Sequence, residues 1–490
     1  MSGQPRKRQI FPLDALSVGR GVAEPLQRQL YRTLADLIRR GVLPAGSELP
    51  STRELALDLK IGRNTVVAAY DQLATEGYLA SRAGARAVVV DLPAEPEPAD
   101  AAAAAVVSRS LAQAGVRLMA QPVHHGTPGH VAFHPGIPDS AHFPFGVLSR
   151  LLARRAAHAG HNLFGTYHIT GLPELREAIA GYLAAARGVS CTPDQVVITT
   201  GAQAAFDLLS RLLIDPGDHV WMEEPGYYAA RAAFAVAGAT FLPLPVDGDG
   251  WHLEAPESAP RIIYVTPACQ HPLGITMRAE QRQRLHQLAE RFDSWIIEDD
   301  FDGEYRFQGR PVPALQSTDR SARVIYVGTF TKLMFPALRL GFIVLPRSFP
   351  PGISRALGTT GQFAPLMLQA ALADFIAEGH LSRHLKRMRR LYAERRQAFY
   401  DTCNRELGDF MRLLPSEAGI QVVARLNDHL DDRTVALAAA TQGVNVSPFS
   451  QYFRAGRELH GLILGYAACD APQTARGISA LRRAFVACRA

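Results

Sequence analysis

Any chemistry that needs a lysine amine has four candidates in this chain: Lys7, Lys60, Lys332 and Lys386. Lys332 sits in GTFTKLMFPALRLGFIVLP, between two strand-like runs. A lysine is ordinarily a solvated surface residue. This one lies among small and apolar residues, where desolvation lowers its pKa and frees the amine to attack an aldehyde. Thr329 and Thr331 supply hydroxyls beside it, and Arg339 supplies a cation seven residues on. An amine next to a phosphate-sized set of donors suits pyridoxal 5'-phosphate. A carboxylate must then face the pyridine nitrogen and keep it protonated, so that the ring withdraws electrons. The run WIIEDD offers Asp299, with Asp300 as the alternative; a helix cap or solvated turn is the plain reading of either acid alone. TTGAQAAFDLL reads as strand, Gly201, then a helix whose first amides, at Ala202 and Gln203, cradle an anion. EEPGYY offers Tyr227 as a ring to stack on the cofactor, and His271 stands in a loop before PLG.

These residues need a scaffold that gathers them. Val196–Thr199, Val220–Glu223, Ile262–Thr266, Trp295–Glu298, Val324–Val327 and Phe342–Leu345 read as buried strands. Amphipathic stretches such as Gln203–Leu213 and Glu280–Arg291 lie between several of them. That alternation predicts a mostly parallel α/β sheet covered on both faces, with ligands at the C-terminal ends of its strands.

A second group of residues lies near the start. Leu26, Leu30, Leu34, Leu37 and Ile38 recur at helical spacing. Ser51-Thr52-Arg53-Glu54 has the form of a capping box and opens a short helix. After Ile61-Gly62 a third helix runs from Arg63 to Glu76, and Tyr78–Arg82 with Arg86–Val90 reads as a hairpin. Two helices joined by a tight turn and followed by a basic hairpin make a winged helix-turn-helix. Arg63, Asn64 and Thr65 open the helix that enters a major groove; Arg53, Arg82 and Arg86 are placed to hold the phosphate backbone of double-stranded DNA.

The chain has 490 residues, 47% of them apolar and 20% charged, as in an ordinary soluble protein of about three domain units. Residues 1–92 hold 13 Lys/Arg against 9 Asp/Glu, so the front fifth carries most of the net charge of +6. That placement favours a polyanionic partner. No uncharged apolar run approaches the ~18 residues that span a bilayer. The basic start MSGQPRKRQIF leads into no apolar segment, so no signal peptide is expected. Five scattered cysteines with no CxxC pair suggest free thiols in a reducing, cytoplasmic compartment. PAEPEPADAAAAAVV, at 93–107, reads as a semi-rigid spacer.

Two resemblances follow. LPSTRELALDLKIGRNTVVAAYDQLATEGYLASRAG resembles the GntR-type DNA-binding domain across residues 22–92. Gly62 stands where a small hydroxyl residue is common, and the wing RAGARAVVV lacks the usual Gly-Thr after its tip. The region 125–490 resembles a fold-type I aminotransferase, a pyridoxal phosphate-dependent transferase fold. The stretches that carry it include TGLPELREAIAGYL, DPGDHVWMEEPGY, VTPACQHPLGITM, IEDDFDGEYRF and HLKRMRRLYAERR. Together the two halves resemble the MocR/GabR family of regulators.

The resemblance implies a basic tail over 1–21, a winged-helix domain over 22–92 and a linker over 93–124. The aminotransferase-like domain then spans 125–490, with a large part near 165–380 and a small part near 381–490. It implies Lys332 as the Schiff-base lysine, Asp299 as the pyridinium partner and Tyr227 as the stacking ring. It implies Gly201, Ala202, Gln203, Thr329 and Arg339 as the residues that bind the phosphate. It further implies a homodimer on promoter DNA with paired half-sites or direct repeats, in the bacterial cytoplasm at the nucleoid.

Departures from the pattern bear on activity. Phe301 replaces a frequent tyrosine, Ala202 a frequent serine, and His271 an asparagine. In GLILGYA, Ile463 stands where aminotransferases carry the arginine that clamps a substrate carboxylate; Arg454 and Arg231 are the cations left to compensate. Three readings compete. The first is a regulator that senses an amino compound or pyridoxal phosphate itself, with at most a half-transamination. The second is a working aminotransferase that carries a DNA reader. The third is a cofactor-free dimerisation domain. The intact Lys332, Asp299 and Arg339 oppose the third and Ile463 opposes the second, so the first is expected.

Overall fold

The computed structural model describes residues 11–13, 16, 18–19, 24–80, 86–91, 110–121, 132–160, 163, 165–307, 309, 311–427, 430–454 and 459–489. The expected spacer at 93–107, the wing tip and Arg82 lie outside these residues. The chain divides into two compact units, Met1–Arg109 and Ser110–Ala490.

In the first unit the apolar stripe of α1 (Leu26–Arg39) buries Leu30, Leu34, Leu37 and Ile38. α2 (Thr52–Asp58) starts at a complete capping box. The Ser51 hydroxyl accepts from the Glu54 amide at 3.2 Å, and the Ser51 amide donates back to the Glu54 carboxylate at 2.9 Å. Lys60 in the left-handed region (φ 53°) turns the chain into α3 (Arg63–Thr75). Val66, Ala69, Tyr70 and Leu73 of α3 pack onto α1 and α2. β1 (Leu79–Ala80) pairs antiparallel with β2 (Val88–Val89), and Glu48 bridges to Val88. The fold is a winged helix.

The second unit begins, among the described residues, with a short helix, Gln113–Met119, inside the segment expected as linker. Arg117 donates to the Val236 carbonyl at 3.4 Å, and the helix packs on Tyr228–Ala237. The strands that follow are β3 (Val196–Thr199), β4 (His219–Glu224), β5 (Thr240–Asp247), β6 (Gly250–Trp251), β7 (Ile262–Val265), β8 (Trp295–Asp300), β9 (Val324–Thr329) and β10 (Gly341–Val344). They form one sheet in the order β3-β10-β9-β8-β7-β4-β5-β6. β4, β5, β7, β8 and β9 are parallel neighbours, while β10 runs antiparallel to both β9 and β3. β3 therefore runs in the same direction as β9. The C-terminal ends of β3, β4, β7, β8 and β9 share one edge of the sheet.

Alternate residues feed opposite cores, as the strand period requires. Ile263 and Ile296 join Trp221 and Leu285 on one face; Tyr264 and Ile297 join Phe206 and Met222 on the other. Each fully buried aliphatic side chain here contributes roughly 1.5–3 kcal/mol. A long helix, His380–Leu407, leads to an antiparallel sheet ordered β11-β12-β14-β13, with β11 (Met411–Leu413), β12 (Gln421–Leu426), β13 (Ser447–Pro448) and β14 (Gly461–Gly465). Helices Asp432–Thr441 and Ala471–Arg489 cover it.

Candidate functional site

Lys332 lies in the turn after β9, at the shared strand edge. Its Nζ donates to the Gly136 carbonyl at 2.5 Å. Burial pulls its ammonium below the ordinary lysine value, against the opposing pull of Asp302 and then Asp299. Gly136 has φ 68°, and a Cβ built there would overlap Nζ. The lysine amine and the loop before residue 140 thus occupy one spot.

β8 carries Asp299 and Asp300 within the strand itself, two residues beyond its expected end. Successive residues face opposite sides. Asp299 Oδ2 accepts from Tyr264 Oη at 2.6 Å, on the neighbouring strand, and its Oδ1 is buried with no hydrogen-bond partner. Burial first, then Asp300 and Glu298, raises its carboxyl to about 7, against the Tyr264 hydrogen bond and Lys332. Asp300 Oδ2 instead takes Arg187 Nε and Tyr326 Oη, both at 2.7 Å. Of the two acids considered from sequence, Asp299 faces Lys332 and Asp300 closes a buried ion pair elsewhere.

The donors expected for a phosphate gather at the other end of the strand edge. Gly201 (φ 94°, ψ 173°) is the cap of helix Ala202–Leu213 and occupies a conformation open essentially to glycine. The amides of Ala202 and Gln203 belong to the first turn, which has no intrahelical acceptor for them. The Gln203 side chain turns away to the Ala229 carbonyl at 3.0 Å, so this residue offers its backbone amide only. Gly341 approaches so closely that a Cβ there would lie 2.9 Å from the Gly201 carbonyl carbon. That contact brings Arg339 beside Gly201. A Cβ at Gly201 would be 3.7 Å from the guanidinium carbon. Arg339 is exposed and makes no hydrogen bond or ion pair among the described residues. Thr329 is buried, its hydroxyl accepting from the Thr331 amide at 3.2 Å.

Tyr227 follows β4, and its phenol is held well above the usual value by burial, with Asp299 and Arg339 both acting on it. Its ring meets His271 edge-on at 5.0 Å. His271 in turn contacts Phe301 at 5.1 Å and Tyr452 at 5.4 Å, and its Nδ1 pairs with the Gln421 amide at 3.3 Å.

Sequence reasoning missed Tyr264, Gly136, Gln421 and Asp302. Asp302 is fully buried; Oδ2 accepts from the Ile420 amide at 3.2 Å, and Oδ1 has no partner. Its carboxyl is raised to about 7, chiefly by burial. Tyr264 had a signal, a polar hydroxyl in the otherwise apolar run IIYV. Ile463 is fully buried on β14, opposite Val423, in a cluster with Phe449 and Tyr452. The two compensating cations are engaged elsewhere. Arg454 stacks on Phe241 (5.3 Å) and Arg231 donates to the Gln451 carbonyl (3.4 Å). The charges that act on Lys332 are those of Asp302 and Asp299.

An amine, a buried carboxylate oxygen with no donor, a ring, and a free cation beside a helix N-terminus fit the parts of a phosphorylated pyridine aldehyde. Asp299 Oδ1 could receive a protonated ring nitrogen, and Arg339 with the Gly201–Gln203 amides could receive a phosphate.

In the first unit Arg53, Arg63 and Asn64 are exposed, and Thr65 is half-buried at the start of α3. Gly62 gives α3 no side-chain cap; the Thr65 amide bonds to the Gly62 carbonyl at 3.0 Å, and the amides of Arg63 and Asn64 are left for a phosphate. Arg86 is paired with Glu54 at 3.0 Å, and a phosphate contact would exchange that partner.

Residues 139–480 match the family of class I and II aminotransferases, and residues 26–89 match the bacterial regulatory proteins of the gntR family. The chain is 49% identical to "Probable rhizopine catabolism regulatory protein MocR" of Rhizobium meliloti, over 96% of each chain. It is 31% identical to the pyridoxine biosynthesis transcriptional regulator PdxR of Corynebacterium glutamicum, over 90% of this chain and 92% of that one. Among solved structures it is similar to LysN, an α-aminoadipate aminotransferase of Thermus thermophilus complexed with N-(5'-phosphopyridoxyl)-L-leucine. That match has TM-score 0.68 and 29% identity, over 77% of this chain and 95% of that one.

Proposed function

Because the chain belongs to the MocR-type regulators, in which a GntR-type DNA reader precedes an aminotransferase-like domain, we propose that it controls transcription by reading an amino compound, or pyridoxal 5'-phosphate itself, at Lys332. The protein is a DNA-binding regulator, and its cofactor is pyridoxal 5'-phosphate. When bound, that group supplies an aldehyde for an amine and a ring that withdraws electrons.

The chain's own residues do the rest. Burial lowers the pKa of Lys332 and so favours its free amine, against the pull of Asp302 and Asp299. Asp299 holds a proton on the ring nitrogen. Thr329, Thr331, Arg339 and the amides of Gly201, Ala202 and Gln203 anchor the phosphate. Tyr227 would stack on the ring, with His271 packed edge-on against Tyr227 beside it. The observation that carries the reading is the meeting of Lys332 with Asp299, whose buried Oδ1 has no donor of its own.

Arg63, Asn64 and Thr65 read base edges, while Arg53, Arg82 and Arg86 hold the phosphate backbone. A homodimer carries two such readers to paired half-sites or direct repeats in the bacterial cytoplasm. Ligand binding regulates only if it favours one arrangement of the readers over another.

The test is DNA affinity on the fragment upstream of the protein's own coding region. It compares cofactor-loaded protein, stripped protein and Lys332→Ala by fluorescence anisotropy. Loaded and stripped wild type are expected to differ at least about fivefold in affinity, as a coupling of ~1 kcal/mol gives, and Lys332→Ala to be indifferent to added cofactor. Identical binding by all three would contradict the proposal.

A further inference from the structure

The long helix His380–Leu407 has two unlike faces over its first half. Leu381, Leu385, Met388 and Tyr392 repeat at the spacing of an apolar stripe and are buried in the core of the second unit. Arg383, Lys386, Arg387 and Arg390 are exposed. At 3.6 residues per turn they lie within about 100° of one another, opposite the buried stripe. No acid stands between Glu378 and Glu394.

None of these four cations pairs with a carboxylate among the described residues. Arg383 donates to the Glu378 carbonyl at 2.8 Å and to a His380 ring nitrogen at 2.9 Å, and Arg387 donates to the His142 carbonyl. Lys386 and Arg390 make no hydrogen bond or ion pair among the described residues. Arginines of the helix Phe145–Ala157 are neutralised by contrast. Arg154 pairs with Asp374 at 2.8 Å and Glu378 at 2.6 Å, and Arg155 with Asp374 at 2.5 Å.

The arrangement weakens the helix that carries it. Arg383 and Arg387, like Lys386 and Arg390, are like charges four residues apart. Arg383 stands in a first turn that holds no acid, where the macrodipole favours one. A polyanion laid on this face offsets both effects. Arg383 to Arg390 covers about 10 Å of helix axis. One strand of a duplex presents about three phosphates over that length, and guanidinium groups take phosphate oxygens in pairs. The first unit already brings duplex DNA to this chain, and tethering raises the effective concentration of the duplex beside its site.

We propose that the face formed by Arg383, Lys386, Arg387 and Arg390 binds the phosphate backbone of DNA flanking the sequence that the first unit reads. The contact is independent of base sequence, because phosphates carry none. It goes beyond the reader of the first unit and rests on that unit binding DNA.

The experiment measures the affinity of cofactor-loaded, full-length protein by fluorescence anisotropy over a series of salt concentrations. Two duplexes are compared: the fragment upstream of the protein's own coding region, and the same fragment cut back to the bases whose substitution weakens binding. The triple variant Arg383→Gln, Arg387→Gln, Arg390→Gln is expected to bind the long fragment at least about tenfold more weakly, with a log–log salt slope shallower by about 2–3, since each phosphate contact contributes about 0.9. On the short duplex it is expected to match the wild type. Lys386→Gln with Arg390→Gln removes no hydrogen bond of the described structure and is expected to flatten the slope by about 1–2. Replacing the same three arginines by lysine keeps the charge and is expected to keep the wild-type slope. A wild-type slope in both glutamine variants on the long fragment would overturn the proposal. A loss shared equally by the lysine variant, or by the short duplex, would overturn it too and make the face a packing element. So would an unchanged slope accompanied by a shift in oligomeric state in sedimentation, which would make it a contact between copies. Wild-type protein that binds neither duplex would strike the reading of the first unit, and this proposal with it.

Discussion

Alternation along β8 sends Asp299 toward Lys332 and Asp300 toward Arg187 and Tyr326. The two acids therefore fail in different ways. Asp300→Asn leaves the Arg187 guanidinium buried without its carboxylate, beside the carbonyls of Gly303 and Val312. Chemical denaturation is expected to show a loss of about 3–5 kcal/mol. Asp299→Asn spares that pair, and its cost is expected in cofactor affinity, measured by absorbance titration. Equal destabilisation by both would contradict the assignment.

The pH dependence follows from the same acids. Glu223, Glu298, Asp299 and Asp302 are each raised to about 7, by burial first. An acid that titrates near 7 when folded and at about 4 when unfolded holds its proton more tightly in the fold. Its contribution to stability is full below about pH 4 and disappears as the pH rises to about 7. Cofactor-free protein is thus expected to lose stability across that window, and Asp299→Asn to flatten the slope. A slope that rises with pH would contradict it. Asp299 was legible because it ends a buried apolar run. Asp302 was not, because FDGE reads as a solvated turn and only the fold reveals that it is sealed beneath Ile420.

At the scale of elements, the strands were readable where apolar residues stood together between turn signals, as in VVIT and IIYV. β5 was not, because Pro243 and Pro245 break the donor pattern of a strand. It pairs parallel to β4 along its length and meets only the short β6 on its other side. The strand ends were underestimated at β8 and β9, since Asp300 and Thr329 are polar yet still paired. The capping box of α2 was legible to the residue, because it is local chemistry. Ser51→Ala removes the acceptor for the Glu54 amide, and thermal melting of the first unit is expected to report a loss of about 1 kcal/mol. No change in melting would show that the cap is redundant with tertiary packing. Replacing Arg63 at the open end of α3 is expected to relax base preference, at about 1–3 kcal/mol on the preferred site. Uniform weakening on every sequence, measured by competition binding, would make it a phosphate contact instead.

The whole molecule joins a basic reader to a unit whose polar residues converge from five strand ends. The division into two units was visible as a composition change. The convergence was visible only as a set of separate residues, because which of them meet depends on sheet order. The order β3-β10-β9 brings Gly201, from a distant part of the chain, beside Arg339 in the stretch that also carries Thr329. Sensing depends on Lys332 being the residue that carries the cofactor. Borohydride reduction of the cofactor-loaded protein followed by peptide mass mapping reads this directly. A phosphopyridoxyl adduct is expected on the peptide containing Lys332 and on no peptide of Lys7, Lys60 or Lys386. An adduct on one of those three, or a Lys332→Ala protein that keeps its absorbance and its reducible adduct, would refute that role for Lys332.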